Sequence, residues 1–114
     1  VNKLLEQIKL NDKPEMISAD VPEWGGVKVY IKQLTVGERD SFEVEAMQAR
    51  GSGLMSDIRS KFLVRVLCDE TGQPVASDYK ELRTLSSKPC ERLFELAQKH
   101  NKLTDDDVED LAKN

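Results

Sequence analysis

Apolar and polar positions change period repeatedly along this chain. In the opening stretch, VNKLLEQIKL, residues Leu4, Leu5 and Ile8 recur at helical spacing and predict a short amphipathic helix over 1–10. From Asn11 to Pro22 the punctuation by Asp12, Pro14 and Pro22 predicts a connection holding one extended piece. At Val27 the period becomes two: Val27, Val29 and Ile31 face one way and Lys28, Tyr30 and Lys32 the other, as in a half-buried strand. At Thr35 it changes again. Thr35 and Glu38 stand in capping-box positions, so a helix is expected over 36–49, burying Phe42, Ala46 and Ala49.

The glycines of GSG, 51–53, are expected to break that helix. Residues 54–68 then place Met55, Ile58, Phe62 and Val66 on one stripe, widened by Leu63 and Leu67, which predicts the central helix of the domain. DETGQP carries turn chemistry, and Val75-Ala76 is expected to pair with the 27–32 strand. Ser77 or Asp78 caps a short helix through Leu85. Ser87, with Pro89 just inside the start, opens another to His100 that buries Leu93, Phe94, Leu96 and Ala97 and stops at Asn101. Thr104 with Asp107 repeats the cap pattern ahead of a final short helix bearing Val108 and Leu111. The fold class that follows is α+β: a mainly α-helical single domain of about five helices with a small two-stranded antiparallel sheet. Residues 1–20 form its N-terminal helix and connection, and 21–114 its main body.

Composition narrows what such a domain does. Its 114 residues, a third of them charged and 39% apolar, suit a soluble globular domain. With 21 acidic against 17 basic side chains the net charge is −4, which argues against non-specific nucleic-acid binding, because counterion release needs a basic face. No apolar run is long enough to span a bilayer, and no basic-then-apolar leader marks the chain for export. Cys68 and Cys90 stand in no metal-binding or redox spacing and read as reduced, packed thiols.

Catalytic chemistry finds no foothold. His100 is the one histidine, at a helix end where a cation complements the dipole. DETGQPVASDYK places Asp69, Thr71 and Gln73 at alternating positions like a calcium loop. However, Pro74 stands where the turn needs Gly, and Lys80 where the bidentate Glu belongs. The carboxylates of DDDVED, 105–110, fan over different helix faces and read as cap-stabilising charge. GSG lacks the Lys-Ser/Thr of a phosphate loop, and Lys61 with Arg65 makes too small a footprint for nucleic acid. No catalytic residue, cofactor or metal is therefore expected.

Trp24 admits two readings: a lid over the core, with Gly25 and Gly26 turning the chain tightly behind the indole, or a partner contact of the kind aromatic hot spots make. Tyr30, on the polar side of its strand, and Met47, off the Phe42 stripe, are the other candidates for an exposed contact patch.

Together, PEWGG, then V-x-V-x-I-x-x-L, then T-x-G-E-R-D-x-F, resembles the N-terminal half of the small tail assembly chaperones of long, non-contractile-tailed bacteriophages, the lambda-like siphophages. LCDETGQPV-x-S-D and AQKHNKLTDDDVEDLAKN resemble the C-terminal half, so the similarity spans about residues 21–114. The chain departs from the pattern at Ala76, where a bulkier, often aromatic residue is expected. The resemblance implies a non-enzymatic scaffold of the host cytoplasm, absent from the mature virion. Such a scaffold coats the tape measure protein and helps recruit tail tube protein. It also implies self-association and a longer form of the same protein made by a programmed −1 ribosomal frameshift. Ala112-Lys113-Asn114 can be encoded over the slippery heptamer A-AAA-AAC, which fits a shift near this point. No binding residue is carried over from the family. The alternatives are a tail terminator or connector retained in the virion, or a small regulatory adaptor domain.

Overall fold

The computed structural model describes residues 2–51 and 57–102. In chain order the elements are helix α1 (Lys3–Asn11), strand β1 (Met16–Val21), a 3-10 turn (Pro22–Trp24) and strand β2 (Val27–Lys32). They continue with helices α2 (Val36–Gly51) and α3 (Ile58–Val66), strand β3 (Leu67–Cys68), helix α4 (Tyr79–Leu82) and helix α5 (Ser87–His100). The fold is mixed α+β and mainly helical. Its sheet is an antiparallel hairpin of β1 and β2, to which β3 adds a short antiparallel third strand in the order β1-β2-β3.

The helix signals read from spacing are used as expected. Thr35 N donates to Glu38 Oε1 at 3.0 Å and Thr35 Oγ1 accepts from Glu38 N at 3.1 Å, a reciprocal box that starts α2. Asp78 caps α4 by accepting from Lys80 N at 2.9 Å, while Glu81 Oε2 reaches back to Asp78 N at 3.3 Å. α4 ends at Leu82, short of Leu85. α5 opens with Pro89 in its first turn and closes at Asn101, and its cap position is Ser86, whose side chain makes no capping bond. The extended piece between Asn11 and Pro22 is the whole of β1.

The sheet corrects one expectation. Val75-Ala76 does not pair with β2; the third strand is Leu67–Cys68, at the end of the stripe expected to be helical throughout. Leu67 leaves α3 with extended dihedrals, φ −74° and ψ 126°, and both strand residues are buried. A continuous buried apolar run satisfies a helix and a strand equally, so periodicity could not separate them. The chain after it folds back on β3 instead: Cys68 bridges Pro74, and Val75 N donates to Leu67 O at 3.1 Å.

α3 is the central helix, packed against α2, α4, α5 and β2. Phe62 sits at the middle of the core, its ring 5.1 Å from that of Phe42 on α2 and 5.6 Å, edge-on, from that of Phe94 on α5. Val21, Val29 and Ile31 cover these rings from the inner face of the sheet, with Leu63, Val66 and Leu93 completing the cluster. The buried faces expected of β2, α2, α3 and α5 are those observed, except that Val27 is exposed beside the hairpin turn and Ala49, Ile58 and Leu96 are only half-buried; Met55 lies outside the described residues.

Asn101 does more than end a helix. Its Oδ1 accepts from Leu34 N at 2.7 Å, and its Nδ2 donates to Ala97 O at 3.0 Å and to Lys32 O at 3.4 Å. Arg39 Nη1 donates to its carbonyl at 3.4 Å. One buried amide thus fastens the end of α5 to the junction where β2 becomes α2.

Candidate partner-binding surface

Among the described residues no cluster of His, Cys, Asp and Glu could hold a metal ion, and no helix is long and apolar enough to cross a membrane. The single histidine is engaged structurally, His100 Nε2 lying 2.7 Å from the carbonyl of Glu15. The loop with calcium-like spacing spends its carboxylate on itself: Asp69 Oδ1 accepts from Thr71 Oγ1 at 2.6 Å, Thr71 N at 2.8 Å and Gln73 N at 3.1 Å. The Thr71 hydroxyl, followed by the two amides, holds the Asp69 carboxyl below the usual carboxylate range. Cys68 and Cys90 are both free, and burial pushes both thiols up, away from the thiolate a nucleophile needs. The DDDVED carboxylates, Thr104, the final helix bearing Val108 and Leu111, and Ala112-Lys113-Asn114 lie outside the described residues.

The hairpin turn positions Trp24. Gly25 and Gly26 adopt φ +72° and +75°, a left-handed pair that lets Gly25 N donate to Pro22 O at 3.1 Å and Gly26 N to Val21 O at 3.0 Å. The indole is half-buried and packs on the core cluster. Beside it Arg92 on α5 grips Glu23 in a two-pronged pair, Nη1 to Oε2 at 2.8 Å and Nη2 to Oε1 at 2.7 Å. That guanidinium holds the Glu23 carboxyl well below its ordinary value, at about 2.

Tyr30 lies on the outer face of the sheet, opposite Ser18 on β1 and Cys68 on β3, and is half-buried. Met47 is 55% exposed on the side of α2 turned away from Phe42 and Ala46. The three candidates therefore occupy three separate elements, with Tyr30 on the face of the sheet opposite the core that Trp24 covers. Met47 has company that single-residue reading missed. Val36 and Val44 are also exposed, and steps of eight and three residues bring all three to one side of α2, interleaved with Asp40 and Glu43.

Among the described residues, α1 carries an exposed apolar face. Asn2 caps it, Oδ1 accepting from Leu4 N at 2.8 Å, and Asp12 N closes it onto Ile8 O at 2.7 Å. None of its residues is buried: Leu4 is 61% exposed, Leu5 47%, Ile8 51% and Leu10 78%. A nine-residue helix is below the roughly 12–15 residues at which isolated helices become even marginal in water. The amphipathic pattern was legible; that none of the residues of α1 is buried was not.

No protein-family model matches the chain, and no curated protein matches it. Among solved structures it is similar to the tail assembly chaperone of bacteriophage HK97, with a TM-score of 0.63 at 22% identity. The match covers 86% of this chain and 97% of that one. The chain therefore has the fold of a phage tail assembly chaperone.

Proposed function

We propose that this chain is a non-enzymatic tail assembly chaperone of a siphophage, which binds the tape measure protein in the host cytoplasm and helps recruit tail tube protein. The observation that carries the reading is the shared fold, which covers nearly the full length of the HK97 chaperone. Two features of the chain support it. The carboxylates of Glu38, Asp69 and Glu23 are engaged in a helix cap, a turn and an ion pair, as fits a scaffold. The exposed stripe of Leu4, Leu5 and Ile8 on α1 is the kind of surface that docks along another helix. Trp24, Tyr30 and Met47 remain contact candidates, the first as the edge of the hairpin platform. Self-association and a longer frameshifted form belong to the same reading, which calls for neither nucleic acid nor membrane.

Quantitative mass spectrometry of purified virions, beside lysates of the same infected cells, tests the role. A chaperone is abundant in the lysate and missing from the particle, and its deletion leaves capsids without tails. Stoichiometric presence in the virion would make the chain a tail component instead.

A further inference from the structure

The end of α5 lies close to the end of α1. His100, the last residue of α5, has Nε2 2.7 Å from the carbonyl of Glu15, and Glu15 stands four residues after Asn11, where α1 stops. Even fully extended, four residues span no more than about 14 Å. Lys102 then leaves the helix line with a left-handed φ of 56°, its N–H donating to Lys99 O at 3.1 Å. Residues 103–114, which lie outside the described residues, therefore set out near the C-terminal end of α1. That helix carries Leu4, Leu5 and Ile8 exposed along one side, and none of its residues is buried.

We propose that residues 103–114 cover the apolar side of α1 within the same chain, as a tethered helical strap that a partner helix displaces when it takes that face. Length and pattern fit. Thr104 and Asp107 stand in helix-start positions, and Val108, Leu111 and Ala112 then share one face. Such a helix, of about eight residues, is about 12 Å long, against about 14 Å for the nine residues of α1. Charge fits as well. The segment enters at the C-terminal end of α1, so Asp105, Asp106 and Asp107 meet Lys9 and Lys13, with the single carboxylate of Asp12 between them in sequence. Neither lysine has an ion-pair partner among the described residues. Tethering decides against a second copy. Three aliphatic side chains on a nine-residue helix are a fraction of the roughly 800 Å² per partner that a stable dimer buries. A segment of the same chain needs no such area, because its short tether holds it at an effective concentration in the millimolar range. It also supplies the support that so short a helix needs in water. The inference rests on this chain's own residues and stands apart from the tape measure reading.

Methyl NMR and amide hydrogen exchange on the full chain test it. The parent is expected to show nuclear Overhauser contacts between the methyls of Leu4, Leu5 or Ile8 and those of Val108 or Leu111, as strong after dilution as before it, relative to contacts in the core. Val108→Ser together with Leu111→Ser speeds amide exchange in α1 severalfold and leaves that of α5 as it was. Absence of the methyl contacts overturns the proposal, as does α1 exchange that the double substitution leaves unaltered or raises no more than it raises that of α5. Contacts that fade on dilution overturn it too, since a second copy then supplies the segment.

Discussion

Replacing Asn101 with Ala removes a tie that joins residues 67 apart in sequence, because Leu34 N donates to the Asn101 side chain at 2.7 Å. The three side-chain bonds are not equal. Ala97 O still accepts from the main-chain N–H of residue 101 at 3.0 Å, and the bond to Lys32 O is long, at 3.4 Å. The partner left stranded is the part-buried N–H of Leu34. An unsatisfied buried donor costs about 1–3 kcal/mol, so Asn101→Ala is expected to lose about 2 kcal/mol. That is a large share of the roughly 5–15 kcal/mol that holds a domain together. At about 4 °C per kcal/mol for a chain of this size, the melting temperature falls by roughly 8 °C. Urea titration gives the loss, and amide exchange at Leu34 locates it, since that amide must open more readily than its neighbours in α2. A loss under about 0.5 kcal/mol, the range of a neutral surface change, would refute the reasoning, as would unchanged protection at Leu34.

Trp24→Ala is expected to cost about 2–3 kcal/mol, below the 3–5 kcal/mol of a fully buried aromatic because the indole is half-exposed; a variant that melts like the parent yet loses its partner would reassign Trp24 to binding. Thr35→Ala should lose about 1 kcal/mol in denaturant titration through the broken capping box, and a change near zero would mean that α2 does not depend on that cap. The Glu23 carboxyl, held at about 2 by Arg92, has a folded-state pKa below its unfolded one. Its contribution to stability is therefore present above the ordinary carboxylate range and lost as pH falls toward 2. Arg92→Met should accordingly be less stable than the parent at neutral pH and converge with it in acid, while the NMR titration midpoint of Glu23 moves up; a midpoint that stays put would deny the ion pair.

What could be read from the sequence was whatever a few neighbouring residues encode. The Thr35–Glu38 box, the Asp78 cap and the faces of α2, α3 and α5 depend on spacings of three and four residues, and the structure uses them as read. β3 was hidden because Leu67 and Cys68 are buried in a run with no alternation to mark a strand. β1 does alternate, Ile17, Ala19 and Val21 facing inward, but with an alanine in the middle the signal is weak. The role of Asn101 arises only when α5 meets the β2–α2 junction, and no local pattern announces a contact 67 residues away. The contact surface was legible in kind rather than in place. Exposure of Met47 followed from its position off the Phe42 stripe, whereas the lack of any buried residue in α1 is a tertiary fact.

We propose that this chain engages the tape measure protein through the exposed apolar face of α1. The most direct measurement is co-elution of the purified chain with a tape measure fragment on size exclusion, repeated with Leu4, Leu5 and Ile8 all changed to Ser. None of these three side chains is buried, so the variant should melt within about 0.5 kcal/mol of the parent. The parent is expected to co-elute with the fragment and the variant to elute alone. A parent that elutes alone would contradict the function, and a variant that still co-elutes would contradict the surface.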